Sequence, residues 1–236
     1  MEKTTIDINE VKKFETISDQ WWKDDGSFGS LHKINPIRIE YILNKIKQYL
    51  PQPKDSLTIL DVGCGGGIAS MPFARLGFNV TGIDAGINNI NVAMNYAKEH
   101  NINIRFLNET AEEHLNQANK YDVILCLEMI EHVNNVELLI NSLAQLLNKD
   151  GIIIISTINR TLKAKFLAIG VAEYLLNILP KNTHNFDKFV KPSEISNLFK
   201  KSNLKIQEIR GIIFDIFSMK WILSDKIDVN YICVIK

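Results

Sequence analysis

The sequence Leu60-Asp61-Val62-Gly63-Cys64-Gly65-Gly66-Gly67 joins a short apolar run to a cluster of glycines. The β-branched and apolar residues 57–60 are typical of a buried strand, and the apolar residues 68–74 can form a helix. Glycines adopt positive φ and let a ligand approach the backbone, while the following helix offers unpaired N–H groups at its N-terminus. This order predicts a pocket of the nucleotide-binding type at the end of a parallel strand.

The glycine spacing differs from the dinucleotide fingerprint, because Ile68 or Ser70 stands where the last Gly or Ala is required. Asp61, at the approach to the turn, would repel a pyrophosphate and suits a ligand with a cationic or amino group. Asp84 ends the next predicted strand, about 20 residues on, where an acid accepts hydrogen bonds from ribose hydroxyls. Glycine turns alone are weak evidence, but together with both aspartates they indicate S-adenosylmethionine and a Rossmann-like methyltransferase.

Length and composition limit the class of protein. The 236 residues are 46% apolar, which is enough for one sizeable domain with a core. Basic and acidic residues number 27 each, so no basic excess can neutralise phosphates and no nucleic-acid partner is expected. The three cysteines lack C-x-x-C spacing and are expected to be reduced thiols. Without a secretory signal or an apolar run of about 20 residues, we expect a cytoplasmic protein with no membrane span.

From residue 57 onward, predicted strands alternate with predicted helices. Strands separated by single helices indicate parallel βαβ units in a doubly wound sheet, where ligands bind at the carboxyl ends of the strands. The last two strand-like runs are expected to be antiparallel. The predicted strands are 57–62, 79–84, 103–107, 121–127, 152–157, 204–214 and 229–235, and the helices between the first five are 68–76, 87–99 and 136–147.

Two helical segments precede this alternating region. Apolar residues recur at steps of three from Ile8 to Ile17, and Trp21-Trp22 follow. Either one tryptophan packs while the other lines a pocket, or both hold the segment against the domain. Asn35-Pro36 predicts the start of a second helix. We therefore divide the chain into a helical arm, residues 1–50, and a methyltransferase domain, residues 51–236.

An insertion at about 160–187 interrupts the regular pattern. Its apolar middle, residues 166–179, is flanked by Lys163, Lys165 and Lys181. A helix with an apolar face and basic flanks can lie in the membrane interface. A helical lid over the substrate pocket is an equally good and compatible interpretation.

Two acids and a histidine follow the fourth predicted strand. Glu128, Glu131 and His132 fall within five positions at the expected rim of the pocket. In a helical turn, Glu128 would project from the same face as the other two, so the group could bind a metal ion or move a proton. The helix dipole alone would explain the glutamates but not the histidine.

Stretches throughout the chain carry a resemblance to a known family. The glycine turn is shared by many methyltransferases, whereas the tryptophan pair, the Asn-Pro-Ile-Arg piece, the insertion and the Val-Asn-Tyr end are more specific. On these pieces the chain closely resembles the bacterial ubiquinone-biosynthesis O-methyltransferases. The matching pieces are Phe14-Glu15 with Trp21-Trp22, and the stretches 32–38, 60–67, 128–133, 157–160, 170–174, 188–192 and 229–231.

The resemblance implies a class I methyltransferase fold, with a mainly parallel seven-stranded sheet and an antiparallel final hairpin. It implies methylation of a hydroxyl of 2-polyprenyl-6-hydroxyphenol and of 3-demethylubiquinol with S-adenosylmethionine. By resemblance, and with the glycine turn, the expected cofactor contacts are Arg38, Asp61, Gly63, Gly65, Asp84 and Leu127.

The resemblance assigns Glu128, Glu131 and His132 to a metal ion. Carboxylates favour Mg²⁺, while the histidine leaves Zn²⁺ or Mn²⁺ open. Alternatively His132, with Glu131 as a second catalytic group, acts as a general base on the phenol.

The expected partners follow from a substrate with a polyprenyl tail. We expect a peripheral location at the inner face of the cytoplasmic membrane, contact with anionic lipid, and association with other enzymes of ubiquinone biosynthesis. An alternative function is methylation of another small or lipid-like acceptor. A nicotinamide oxidoreductase is disfavoured by the glycine spacing and by Asp61.

Overall fold

The computed structural model describes residues 4–166, 185–215 and 217–236. The strands are β1 (Thr58–Val62), β2 (Asn79–Asp84), β3 (Arg105–Asn108), β4 (Tyr121–Leu127), β5 (Leu147–Ile158), β6 (Ile206–Asp215), β7 (Lys220–Ser224) and β8 (Asn230–Ile235). The helices are α1 (Ile8–Thr16), α2 (Gly29–Tyr49), α3 (Ser70–Arg75), α4 (Ile87–Glu99), α5 (Ala111–His114), α6 (Val136–Leu146), α7 (Leu162–Ala164) and α8 (Pro192–Lys200).

The strands form one sheet in the order β3-β2-β1-β4-β5-β8-β6-β7. Strands β1 to β5 pair in parallel, whereas β8 pairs antiparallel with both β5 and β6. The prediction of a mainly parallel sheet with an antiparallel C-terminal part is confirmed. Because β1 lies between β2 and β4, the strand order reverses there, and such a reversal opens a crevice at the carboxyl ends of the strands.

The described residues contain eight strands in this sheet, one more than the seven expected. The additional strand is β7, which pairs antiparallel with β6 at the edge of the sheet. Of its five residues, Lys220 and Ile222 are exposed and the other three are half-buried. So short a run, with only one neighbouring strand, has a weak sequence signature.

Alternating residues of β4 pack into two apolar layers. Val123 and Leu125 contact the layer formed with α2 and α3, while Ile124 and Cys126 contact the layer formed with α6 and α8. All four side chains are fully buried. Helices on both faces explain why the central strands are nearly continuous hydrophobic runs.

Helix α2 begins at Gly29, earlier than the predicted start at Asn35, and Pro36 lies inside it. Proline removes one helix hydrogen bond, but the additional turns let Leu31 pack against the cluster around Trp21. The Asn35 side chain does not cap the helix, since it donates to the carbonyl oxygen of Ile68 at 2.9 Å. This bond ties α2 to the glycine turn.

The predicted insertion lies mostly outside the described residues. Within it, the structure describes α7 and a short 3₁₀ turn, Phe186–Lys188. In the described part of the chain, no helix combines the length and the apolar character that crossing a membrane requires.

Candidate active site

A cavity of about 690 Å³ lies at the carboxyl ends of β1, β2 and β4. Its inner wall contains the glycine turn together with Asp61 and Asp84. Residues of α1 and the following loop, including Phe14 and Trp21, form the opposite wall. Most cavities that bind small molecules have this character, with a mainly apolar lining and few polar groups.

The glycine turn adopts a backbone that other residues rarely adopt. Gly63 and Gly65 have φ angles of +71° and +52°. A Cβ atom would lie 2.4 Å from the Met129 side chain at Gly63 and 2.3 Å from the Trp21 ring at Gly65. At these two positions glycine is therefore required for the backbone conformation and for the close approach of protein side chains.

Asp84 lies at the end of β2 and lines the cavity. Its Oδ2 accepts a hydrogen bond from the Gly65 N–H at 3.0 Å, and its Oδ1 accepts from Gly86 N–H and from the Asn89 side chain. Burial raises the pKa of Asp84, and these hydrogen bonds oppose that rise. The carboxylate is thus held in one orientation beside the glycine turn.

Asp61 and Arg38 form a buried polar group in the wall of the cavity. Asp61 is 2% exposed and accepts a hydrogen bond from Ser70 Oγ at 2.5 Å. Burial raises the pKa of Asp61 to about 6, although Ser70 and Arg38 favour its charged form. Arg38 donates to the Asn35 side chain at 3.2 Å, while its Nε has no hydrogen-bond partner among the described residues. A buried guanidinium with an unused donor is suited to an anionic ligand group.

Leu127 ends β4 and lines the cavity, and Glu128 follows with a φ of +51°. The Glu128 carboxylate accepts from Ser156 Oγ at 2.8 Å and lies 3.8 Å from an Arg38 amino group. The condition of a helical turn that begins at Glu128 is not met, because the Glu128 N–H bonds to the Ser156 carbonyl and continues the sheet pairing. Its side chain consequently does not share a helical face with Glu131 and His132.

Glu131 is 3% exposed and lies outside the set of described residues that line the cavity. Its Oε2 accepts from Thr157 Oγ1 at 2.8 Å, and its Oε1 has no partner in the described residues. Burial, with the charge of Glu128 as the second cause, raises the pKa of Glu131 to about 7. Glu131 is therefore a buried residue that links the turn at the cavity rim to Thr157 of β5.

His132 lines the cavity and faces the helical arm. Its Nδ1 lies 2.8 Å from Glu10 Oε2, and its ring packs edge-on against Phe14 at a centroid distance of 5.0 Å. Although burial opposes it, the hydrogen bond from His132 lowers the pKa of Glu10. The arm thus supplies a carboxylate that orients the imidazole.

The predicted metal set of Glu128, Glu131 and His132 is not assembled. In residues 4–166, 185–215 and 217–236, no three His, Cys, Asp or Glu side chains are placed to bind one ion. The three side chains instead contact Ser156, Thr157 and Glu10, respectively. The physical reason is that Glu128, with a φ of +51°, continues the sheet pairing with Ser156 and lies outside the short turn Ile130–His132.

Curated relatives match this chain over almost its whole length. The ubiquinone biosynthesis O-methyltransferase of Rickettsia akari (strain Hartford) is 51% identical over 228 residues, covering 97% of this chain and 90% of the relative. That of Rickettsia canadensis (strain McKiel) is 52% identical, covering 97% and 96%. Residues 34–209 also match a family described as a methyltransferase domain. The chain belongs to the ubiquinone biosynthesis O-methyltransferases.

Solved structures show that this O-methyltransferase has the fold of S-adenosylmethionine-dependent methyltransferases. A plantazolicin methyltransferase in complex with S-adenosylhomocysteine aligns with a TM-score of 0.65, covering 97% of this chain and 98% of its own, at 16% identity. The magnesium protoporphyrin IX methyltransferase of Synechocystis aligns with a TM-score of 0.60, covering 99% and 89%, at 18% identity. At such low identity these likenesses concern the fold alone.

Glu10 was not predicted from the sequence as a site residue of this O-methyltransferase. Glu10 lies in a helix whose apolar stripe predicted ordinary burial, yet α1 has no buried residue. The two tryptophans have different contacts. Trp21 covers the glycine turn and donates a hydrogen bond to Asn89. Trp22 stacks on Tyr96 and donates a hydrogen bond to the Gly66 carbonyl. An amphipathic segment with an acid on it, ahead of the first strand, was the available signal for a covering arm.

Proposed function

We propose that this enzyme transfers a methyl group from S-adenosylmethionine to a hydroxyl oxygen of 2-polyprenyl-6-hydroxyphenol and of 3-demethylubiquinol. Family membership supports the reaction class, and the polyprenyl phenols follow from the resemblance. The observation that carries the proposal is the position of His132, which shares one mostly apolar cavity with Asp84 and the glycine turn. A proton acceptor and a cofactor cradle in one cavity are what O-methylation of a phenol requires.

Residues at the carboxyl ends of β1 and β2 would hold the cofactor. Asp84 would accept hydrogen bonds from the ribose hydroxyls, while the turn at Gly63 and Gly65 presents backbone groups beside it. The unused Nε of Arg38 suits the cofactor carboxylate, and Asp61 suits its amino group. Leu127 would contact the apolar surface of the adenosine. S-adenosylmethionine supplies the methyl carbon, bound to a sulfonium.

His132 would remove the proton of the acceptor. A phenol has an ordinary pKa of about 10 and is a poor nucleophile at neutral pH until it is deprotonated. With Nδ1–H donated to Glu10, the ring carries its lone pair on Nε2, and the Glu10 carboxylate stabilises the imidazolium that forms. Glu131 would affect turnover through the position of this turn. No step is assigned to a metal ion, because the predicted ligands do not converge.

Membrane contact and partner enzymes belong to the same proposal. The polyprenyl tail partitions into lipid, so the enzyme must meet its substrate at the inner face of the cytoplasmic membrane. The lysine-flanked apolar residues 166–179 would bind anionic lipid there. Association with other enzymes of ubiquinone biosynthesis would pass the substrate on without release from the bilayer.

Purified enzyme with labelled S-adenosylmethionine and a panel of short-tailed catechols tests the reaction. We expect methylation of the catechols, with loss of turnover and little change in cofactor affinity in His132→Ala. Glu10→Gln, which keeps the hydrogen bond but removes the charge, should lower turnover less. Methylation of unrelated acceptors alone would favour the alternative function.

A chelator separates the two roles considered for His132. Activity that survives chelation but not His132→Ala supports the general base. Activity that is lost on chelation and restored by Mg²⁺, Zn²⁺ or Mn²⁺ would favour the metal-binding role of Glu128, Glu131 and His132.

A further inference from the structure

The β6–β7 hairpin carries a group of exposed apolar side chains at its outer end. Phe217 is 93% exposed, Met219 70%, Phe214 42% and Ile222 37%. We call these four residues the hairpin tip. They make up four of the ten large apolar side chains that are exposed in the described part of the chain. Such a concentration on one hairpin marks an interaction surface rather than scattered surface residues.

The hairpin tip is continuous with the wall of the active-site cavity. Trp221 of β7 lines the cavity, and its cross-strand partner is Phe214. Cross-strand partners share a face of the sheet, and these two rings contact each other at a centroid distance of 5.5 Å. Apolar surface therefore extends from the interior of the cavity, through Trp221 and Phe214, to Phe217 and Met219.

The hairpin tip is too small to hold a protein partner by itself. Partly exposed, its four side chains offer apolar surface on the order of a few hundred Å². A stable protein interface buries roughly 800 Å² on each partner. Binding to a bilayer needs less apolar area, because side chains enter only about 5–10 Å into the boundary between headgroups and acyl chains.

The charged residues around the hairpin tip balance one another, which suits insertion into the membrane interface. Between residues 214 and 226, Asp215 and Asp225 balance Lys220 and Lys226. Asp215 and Lys220 are opposite each other in the strand register, and Asp225 pairs with Arg210. Attraction to anionic headgroups is thus weak here, so contact would depend on apolar insertion and would resist salt.

We propose that the hairpin tip inserts into the lipid bilayer and places Trp221 where an apolar substrate tail passes from the bilayer into the cavity. The tail's passage rests on the proposed function, whereas the insertion does not. The surface is distinct from the lysine-flanked residues 166–179, to which binding of anionic lipid was assigned.

Vesicle flotation tests the insertion. The probe is uncharged phosphatidylcholine vesicles in 1 M salt, where the Debye length is about 3 Å and headgroup attraction is screened. Wild-type protein should float, and Phe217→Ser with Met219→Ser should lower the floating fraction at least about fivefold. The matched control is Leu76→Ser with Met94→Ser, which removes side chains of α3's C-terminus and α4 that are 42% and 51% exposed. The control should float as the wild type does.

Three results would overturn the insertion. They are failure of the wild type to float, equal flotation of the Phe217→Ser, Met219→Ser variant, and equal losses in both variants. Sedimentation velocity gives a fourth test. If the wild type is a dimer, the Phe217→Ser, Met219→Ser variant is a monomer and flotation is unchanged, the hairpin tip binds a second copy of the chain instead. Circular dichroism and thermal melting would check that both variants fold, as we expect for substitutions at exposed positions.

Kinetics test the passage of the tail. The Phe217→Ser, Met219→Ser variant should raise KM for a long-tailed catechol in vesicles and leave kcat for a short-tailed catechol unchanged. An equal KM for the long-tailed catechol in variant and wild type would overturn the passage. Absence of any catechol methylation by the wild type would refute the proposed function, and flotation would still decide the insertion.

Discussion

Burial of the Asp61 carboxylate disfavours its charged form. Asp61 is 2% exposed, and its pKa rises from the usual 3.8 to about 6 because burial outweighs the help of Ser70 and Arg38. The folded protein therefore binds this proton more tightly than the unfolded chain does. The contribution of Asp61 to the stability of the cofactor-free enzyme should therefore fall as pH rises from about 4 to about 6, and remain lower above that.

The substitution Asp61→Asn tests how much the buried charge of Asp61 lowers the free energy of unfolding. Asparagine can still accept from Ser70 but has no charge, so above pH 6 the free energy of unfolding should rise by about 2–3 kcal/mol. The gain should shrink toward pH 4, while affinity for S-adenosylmethionine should fall. Denaturant unfolding of both proteins between pH 4 and 8 measures the difference. A difference that does not vary with pH would mean that Asp61 titrates normally.

Asp84 is the second residue whose role can be isolated. Asp84→Ala removes the acceptor of Gly65 N–H as well as the proposed ribose contacts. We expect binding of S-adenosylmethionine to weaken by about 2 kcal/mol or more, measured by calorimetry, because charge-assisted hydrogen bonds are lost. Asp84→Asn, which keeps one acceptor oxygen, should lie between. Unchanged binding in Asp84→Ala would remove Asp84 from the cofactor site.

At the scale of elements, α1 is held over the cavity by polar contacts rather than by burial. Thr5, just before the helix, donates from its N–H and its hydroxyl to Glu112. Asp7, its N-cap, pairs with Lys188 at 2.6 Å, and Glu10 contacts His132. Since none of its residues is buried, the helix should open at far lower cost than the sheet.

Glu112→Ala tests how the arm is held. Loss of the Thr5 hydrogen bonds should speed tryptic cleavage after Lys12 and Lys13, with little change in the melting temperature of the sheet. Glu99→Ala, at an exposed position of α4, is the control and should cleave at the wild-type rate. Equal rates in all three proteins would indicate that the apolar contacts of Phe14 hold the arm instead.

The whole molecule would meet the bilayer through two surfaces of different character. The insertion has lysines beside its apolar residues 166–179, whereas the charges around the hairpin tip cancel. Leu175→Glu with Leu176→Glu should therefore release the enzyme from anionic liposomes at low salt, yet spare activity on a short-tailed catechol. Sedimentation with liposomes measures the release. If this variant still binds anionic liposomes at low salt as the wild type does, these leucines belong to a lid or a core helix.

Local patterns in the sequence were sufficient for strands β1 to β5 and for placing the expected cofactor residues at strand ends, but they did not predict β7. Strand β1, the glycine turn and Asp84 at the end of β2 are encoded by neighbouring residues, since alternation, positive φ and strand ends are local properties. Helix α4 was predicted with the bounds that the structure has. Parallel pairing then brings these strand ends together without further information.

Tertiary packing determined the part of the cavity around His132, where the methyl acceptor would bind. Glu10 and His132 are separated by 122 positions, and no local pattern indicates that α1 folds back over the cavity. Glu128 leaves the helical conformation because its N–H completes a bond to Ser156 of β5. Trp221 reaches the cavity because β6 carries β7 at the edge of the sheet. Each contact joins distant segments, and its energy comes from packing and charge pairing that exist only once the sheet has formed.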